Sequence, residues 1–219
     1  MRSVPKIIHQ IWIGPKPLPP TLEKFTKTWI NNHPSWEYKF WGNKEVETLN
    51  FPEKHLLEKC ANLGIKSDIL RYVILYKFGG LYVDTDMECL RPFDDLIKLR
   101  DKEGFVAPER EYINNGMIAS IPNSKFMEWT LKKIQFKPII NELEDTLTTT
   151  GPRYLNHIIH TYVKERVKIL ISEYFHSPVI LDKVHAEKAY SLHYYTNTWM
   201  KEKIVLSEIQ RQIALELKR

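Results

Sequence analysis

The chain contains no run of about 18 apolar residues, which excludes a membrane-spanning helix from its reading. It has 2 cysteines in 219 residues, Cys60 and Cys89, at a spacing that matches no metal-ligand pattern. A disulfide framework is therefore not expected, and a reducing cytoplasm is the simpler location. Glycine is scarce, at 8 residues. No stretch reads as a Walker-type phosphate loop or as G-x-G-x-x-G, so nucleoside triphosphatase and ordinary dinucleotide-binding readings lose support. The opening MRSVPKIIHQIWIG has too short an apolar stretch, and no small-residue cleavage site, for a secretory leader. There is no internal repeat and no low-complexity tract. Basic residues are dispersed rather than clustered, and no nucleic-acid motif is present, so nucleic acid is not an expected partner.

What is present suits one substantial core. At 219 residues a single domain over 1–219 is the expectation. Net charge is +5, which favours anionic partners such as nucleoside diphosphates, acidic glycans or lipid headgroups. Pro5–Gly14 reads as a buried first strand and Trp36–Trp41 as a second. Thr21–Asn32 reads as a helix capped by Thr21, and Glu45–Leu49 and Lys54–Leu63 as helical pieces. Phe105–Pro108 and Asn115–Ile121 read as strands, Ser124–Phe136 as a helix with Trp129 on its apolar side, and Pro152 to about Val163 as another helix. Weaker strand signals lie at Val167–Ile171 and Val179–Leu181. Lys201–Arg219 reads as an amphipathic C-terminal helix that packs on the body. Strands alternating with helices predict an α/β fold with a mostly parallel sheet, whose ligands bind at the C-terminal ends of the strands.

The densest information lies between Ser67 and Leu90, SDILRYVILYKFGGLYVDTDMECL. Ser67 reads as the N-cap of a helix, with Asp68 in its first turn and an apolar face of Ile69, Leu70, Val73, Ile74 and Phe78. Gly79 fits the residue after the helix. Asp68 and Arg71, three apart, share a helical face. A short apolar strand then runs into Asp84-Thr85-Asp86. Side chains two apart on a strand point the same way, roughly 7 Å from each other. Two like charges that close repel, and a divalent cation removes the conflict. Oxygen ligands point to Mg²⁺ or Mn²⁺. A solvated Asp-Thr-Asp turn is the alternative for the bare motif.

PKIIHQIWIG, the central block and TGPRYL at 150–155 together resemble the family 32 glycosyltransferases, which share a sugar-binding region containing the DXD motif. That group includes capsular polysaccharide and lipopolysaccharide enzymes of bacteria, fungal initiating α-mannosyltransferases and eukaryotic α-galactosyltransferases. The glucosylating toxins are more distant relatives. The resemblance implies a GT-A type nucleotide-sugar-binding fold and a metal-dependent glycosyltransferase. It would move a hexose from a UDP- or GDP-sugar, UDP favoured, to a glycan acceptor, with retention at the anomeric carbon.

The resemblance also implies roles for individual residues. Asp86 would contact the metal most directly, with Asp84 on ribose or sugar hydroxyls and near the metal. Asp68 and Arg71 would hold the donor sugar, with Arg71 acting beside Asp84 and Asp86 in catalysis by adding to the stabilisation of the leaving diphosphate. Ile11, Trp12 and the loop after them would pack on the base, and Asn115 would contact the donor sugar. Thr150-Gly151-Pro152 would form a loop over the site. In SLHYYTNTW, His193 would be a third metal ligand and Trp199 would touch the diphosphate. Tyr194, Tyr195 and Asn197 depart there from the usual pattern. The expected acceptor is a growing surface polysaccharide, with a lipid carrier and brief contact with the inner face of the plasma membrane. The rival functions are a metal-dependent phosphohydrolase and a non-catalytic nucleotide- or glycan-binding module.

Overall fold

The computed structural model describes residues 2–52, 54–58, 60–109, 112–136, 142–171, 175–176 and 188–196. The expected strand at Val179–Leu181, the C-terminal helix at 201–219 and Trp199 lie outside them. Strands are β1 (Arg2–Ser3), β2 (Ile7–Ile11), β3 (Glu37–Trp41), β4 (Gly80–Val83), β5 (Met87–Cys89), β6 (Lys98–Arg100), β7 (Gly104–Glu109), β8 (Tyr112–Ser120), β9 (Val167–Ile169), β10 (Phe175–His176) and β11 (Ser191–His193). Helices are α1 (Pro20–Asn32), α2 (Asn43–Thr48), α3 (Lys54–Glu58), α4 (Leu63–Phe78), α5 (Lys125–Lys132), α6 (Glu142–Thr149) and α7 (Pro152–Ile158). A π-helical turn over Ile159–Val163 continues α7.

The central sheet has six strands in the order β3-β2-β4-β8-β7-β9. β2 is parallel to β3 and β4, and β7 to β9, while β8 runs antiparallel to both of its neighbours. The sheet is thus mixed and mostly parallel, as the alternation of elements predicts. Along β4, Leu81 and Val83 enter one apolar cluster, with Trp29 of α1 and Phe93. Tyr82 enters the other, with α4, α5 and α7. This is the period-two alternation of a strand covered on both faces.

α4 is the central helix, and it begins earlier than the sequence suggests. Asn62, not Ser67, is its N-cap, with its side chain accepting from the Ile65 N–H. Asp68 therefore lies in the second turn, and no helix-dipole argument applies to it. Ile65, Ile69, Leu70, Tyr72, Val73, Ile74 and Leu75 are all buried, so the helix is apolar nearly all round and sits between layers. α1 starts at Pro20 with no side-chain cap, which replaces the expected Thr21 cap; proline at the first position needs no donor there. α6 had no counterpart in the sequence reading. Trp129 is the other correction. It is exposed and stacks on Tyr162 of the π-helical turn, with ring centroids 5.3 Å apart.

The Gly79-Gly80 pair turns the chain from α4 into β4. Both have positive φ, 63° and 97°, which suits glycine. A Cβ at Gly80 would lie 2.6 Å from the Ile7 carbonyl oxygen and 2.9 Å from His9 Nε2. His9 is buried in β2. The Trp41 indole N–H donates to its Nδ1 at 3.1 Å, so Nε2 carries the proton and donates to the Gly79 carbonyl at 2.9 Å. Burial lowers the His9 pKa to about 4, keeping it neutral.

Candidate active site

β4 stops at Val83, and Asp84-Thr85-Asp86 form the turn into β5 rather than the end of the strand. The Met87 N–H donates to the Asp84 carbonyl at 3.1 Å, and the Asp84 N–H to the Gly116 carbonyl of β8 at 2.8 Å. Gln10, at the C-terminal end of β2, donates from Nε2 to the same Asp84 carbonyl at 3.2 Å, while its Oε1 accepts from the Tyr38 hydroxyl at 2.8 Å. The turn is therefore braced from both neighbouring strands. Tyr82 and Asp84, two apart, share a face, and the Tyr82 hydroxyl donates to Asp84 Oδ1 at 2.6 Å.

A late segment completes the turn. β11 pairs antiparallel with β5, placing His193 opposite Met87. His193 Nε2 lies 3.2 Å from Asp86 Oδ1, and its Nδ1 lies 3.1 Å from Asn114 Nδ2. Asn114 Oδ1 accepts from the Gly116 N–H at 2.6 Å. Gly116 leaves room for this approach: a Cβ there would lie 2.6 Å from Asp84 Oδ2 and 3.2 Å from His193 Cε1. Ligand atoms of Asp84, Asp86 and His193 all lie within 4.8 Å of one another.

Behind the turn is a second, buried cluster. Asp68 Oδ1 accepts from Asn115 Nδ2 at 2.8 Å and lies 3.0 Å from Arg71 Nη2; its Oδ2 accepts from the Thr150 hydroxyl at 2.8 Å. The Tyr72 hydroxyl donates to the Thr150 carbonyl at 2.6 Å. Arg71 Nη1 donates to the Asn115 carbonyl at 2.7 Å and lies 3.3 Å from Asp84 Oδ1. Its Nε and Nη2 reach the Ser67 carbonyl and hydroxyl at 3.4 and 3.3 Å. The five guanidinium donors thus all have acceptors inside the chain. The group also lies 4.5 Å over the Tyr82 ring. Arg71 is a brace between Asp68 and Asp84, and to donate to a ligand it must exchange one of these bonds.

The carboxyl groups feel different surroundings. Burial pushes Asp68 up to about 6, against the opposing pull of Arg71 and Thr150. Burial raises Asp84 as well, with the charge of Asp86 adding to it and that of Arg71 opposing. Burial also acts to raise Asp86, but His193 and the hydrogen bonds from His193 and Thr196 outweigh it and hold the group at about 2. Asp68, Asp84 and Asp86 thus gather around a single guanidinium, with His193 at the rim of the pocket. Carboxylate oxygens with one imidazole form a donor set that fits a divalent cation of the Mn²⁺ or Mg²⁺ kind.

The structure brings Asp84, Asp86 and His193 to one point and Asp68, Arg71 and Asn115 to the adjoining one. Gly151 follows Thr150 as the N-cap residue of α7, its N–H donating to the Thr146 carbonyl at 3.0 Å. Ile11 is buried in the core with Trp41, so its side chain is not a surface for a base. Trp12 is half-buried, its indole N–H donating to the Lys16 carbonyl at 2.8 Å. Sequence reasoning passed over Gln10, Tyr82, Asn114 and Thr196. Tyr82 was findable from its two-residue offset to Asp84.

A mixed six-stranded sheet with this acidic turn at the C-terminal ends of its parallel strands defines a glycosyltransferase of the GT-A fold. Residues 19–101 match the family model described as "Glycosyltransferase sugar-binding region containing DXD motif". It is 28% identical over 189 residues to an uncharacterised glycosyltransferase of Acanthamoeba polyphaga mimivirus, covering 79% of this chain and 73% of that one. It is 28% identical over 185 residues to inositol phosphoceramide mannosyltransferase 1 of Schizosaccharomyces pombe, covering 78% of this chain but 56% of that one. The chain thus spans little more than half of this yeast enzyme. Among solved structures, a glycosyltransferase involved in glycosylation of the major capsid of PBCV-1 superposes with a TM-score of 0.56 at 12% identity, covering 97% of this chain and 99% of that one. No helix among the described residues is long and apolar enough to cross a membrane.

Proposed function

We propose that this glycosyltransferase moves a hexose from a UDP- or GDP-sugar to a hydroxyl of a glycan acceptor, with Asp84, Asp86 and His193 holding Mn²⁺ or Mg²⁺. The observation that carries this reading is the convergence of those three groups within 4.8 Å at the strand ends. When bound, the cation supplies Lewis-acid stabilisation of the charge that builds on the leaving diphosphate. The chain's own residues position the parts. Asp86, held ionised, offers an oxygen at every physiological pH. Arg71 keeps Asp84 and Asp68 apart yet fixed, so neither relaxes when a donor arrives. Asp68 and Asn115 orient the sugar, each trading an internal hydrogen bond for one to a sugar hydroxyl. Trp12 and the loop after it wall the base, Gly151 lies in the loop over the site, and Trp199 meets the diphosphate.

Retention is carried by the family resemblance, with the leaving phosphate taking the proton of the attacking hydroxyl. The yeast relative's name points to mannose as the first sugar to test, and to an inositol-phosphate lipid headgroup beside a surface polysaccharide as acceptor. The test is a screen of UDP- and GDP-hexoses with Mn²⁺, with and without EDTA, reading released nucleoside diphosphate. Release from one donor that EDTA and Asp86→Asn both abolish supports the reading. EDTA-insensitive release sinks the metal role, and a β-linked product by NMR sinks retention.

A further inference from the structure

Gln10 is a fully buried amide on a strand that is otherwise mostly apolar. It shares a face with Ile8, two residues earlier, which packs with Leu81, Val83 and Trp29. The core alone does not ask for an amide there, since a buried amide is costly unless its partners are supplied. The partners lie on two different elements. The ladder between β2 and β4 ends at His9 and Tyr82, two residues before Asp84. The Gln10 side chain then reaches across in place of a further rung, Nε2 donating to the Asp84 carbonyl at 3.2 Å. At its other end, Oε1 accepts from the hydroxyl of Tyr38, which stands opposite Ile8 on β3.

We propose that Gln10 is a positioning residue for the cation: it fixes the Asp84 peptide and so the direction in which the turn presents Asp84 and Asp86. The inference rests on the reading that Asp84, Asp86 and His193 hold the cation. The two carboxylates repel each other until a cation arrives, so something else must hold the turn closed. On the β8 side the Asp84 N–H is tied to the Gly116 carbonyl. On the β2 side Gln10 ties the Asp84 carbonyl. A turn released on one side relaxes under the repulsion, and the cation must close it again on binding; a turn held ready avoids that cost. Gln10 acts through Asp84 and is not a catalytic residue.

The test is binding of Mn²⁺ alone to the whole chain, followed by the free-ion electron paramagnetic resonance signal at a temperature where each variant is folded. Gln10→Met keeps the length of the side chain and removes the amide. Tyr38→Phe removes the outer bond and leaves the one to Asp84. Leu131→Ala empties a buried position on α5 and serves as a variant destabilised away from the turn. Gln10→Met should lower Mn²⁺ affinity about tenfold, the size seen when a group supporting a metal ligand is lost. Tyr38→Phe should lower it less, and Leu131→Ala should leave it unchanged despite a lower melting temperature. If Gln10→Met does not fold, Gln10→Glu keeps the acceptor for Tyr38, loses the donor to Asp84 and should show the same loss. Unchanged affinity in a folded Gln10 variant, with Asp86→Asn abolishing binding, overturns the role of Gln10. So does an equal loss in Leu131→Ala, which would make the effect one of stability. If the wild type binds no Mn²⁺, or Asp86→Asn binds as well as the wild type, the cation site itself is wrong and the inference falls with it.

Discussion

Asp68 and Asp86 are carboxylates of one pocket, joined through Arg71 and Asp84, and their surroundings drive them in opposite directions. Asp68 is enclosed. Both of its oxygens are taken up by Asn115, Arg71 and Thr150, and burial still leaves it at about 6. Asp86 stands at the rim of a turn, with one oxygen clamped by Thr196 and the other turned to His193, and it is held at about 2. The pair teaches that burial alone does not set proton affinity. What matters is whether the donors outweigh the lost water. Asp68 is built as an internal brace that ties α4, β8 and the start of α7 together. Asp86 is built to be presented.

The largest expected effect breaks the presented side. Asp86→Asn should cut transfer at least about 100-fold, because the cation's stabilisation of the leaving group is worth several kcal/mol. Its melting temperature should also fall, since His193 and Thr196, which hold the carboxylate at about 2, lose their charged acceptor. The brace should fail differently. Asp68→Asn turns one of two accepting oxygens into a donor that faces Arg71 or Thr150, which should cost about 1–3 kcal/mol of stability in urea denaturation. Because Asp68 is also proposed to orient the sugar, activity should fall further than lost stability accounts for. If Asp68→Asn were as stable as the wild type yet inactive, the contrast between brace and ligand would collapse.

How much of this was legible in the sequence follows from the range of each contact. Asp68 and Arg71, three apart, and Asp84 and Asp86, two apart, are local patterns, and their shared faces follow from helix and strand periods. The start of α4 misled because Ser67-Asp68 imitates a cap, whereas the capping residue is Asn62, five positions earlier. Trp129 misled because an aromatic residue on a helical stripe reads as core; here its partner, Tyr162, comes from another element. Thr196 and Asn114 carry no local signal. Their roles exist only once β11 is laid against β5 and β8 against β4, and a single chain does not advertise such pairings.

A smaller effect separates the site from its scaffold. His9 is neutral when folded, at about 4 against an unfolded 6.5, so its folded value is the lower one. Its contribution to stability is fully present above pH 6.5 and is lost as pH falls toward 4. That is roughly 2 kcal/mol by pH 4.5, lost through protonation of the unfolded chain. Buried His33 shifts in the same direction. Denaturation midpoints at pH 7 and 4.5 should show this loss, and His9→Gln should shrink it. The smallest effect sharpens the comparison again: Tyr82→Phe removes one hydrogen bond to Asp84 and should cost about 1 kcal/mol or less. It should be read as weaker Mn²⁺ binding with unchanged melting.

The pairing of β11 with β5 has a consequence in time as well as in space. Thr196 meets Asp86 across a sequence separation of 110, and Thr150 meets Asp68 across 82. Contacts that distant carry a loop-closure cost before they reward the chain. On a ribosome, the sheet strands β2, β4, β7 and β8 are all available before residue 150 has been made. The carboxylate turn is thus synthesised early and waits, incomplete, for its last partners. A nascent chain stalled before β11 would have its sheet strands but would lack the partners that His193 and Thr196 supply to Asp86.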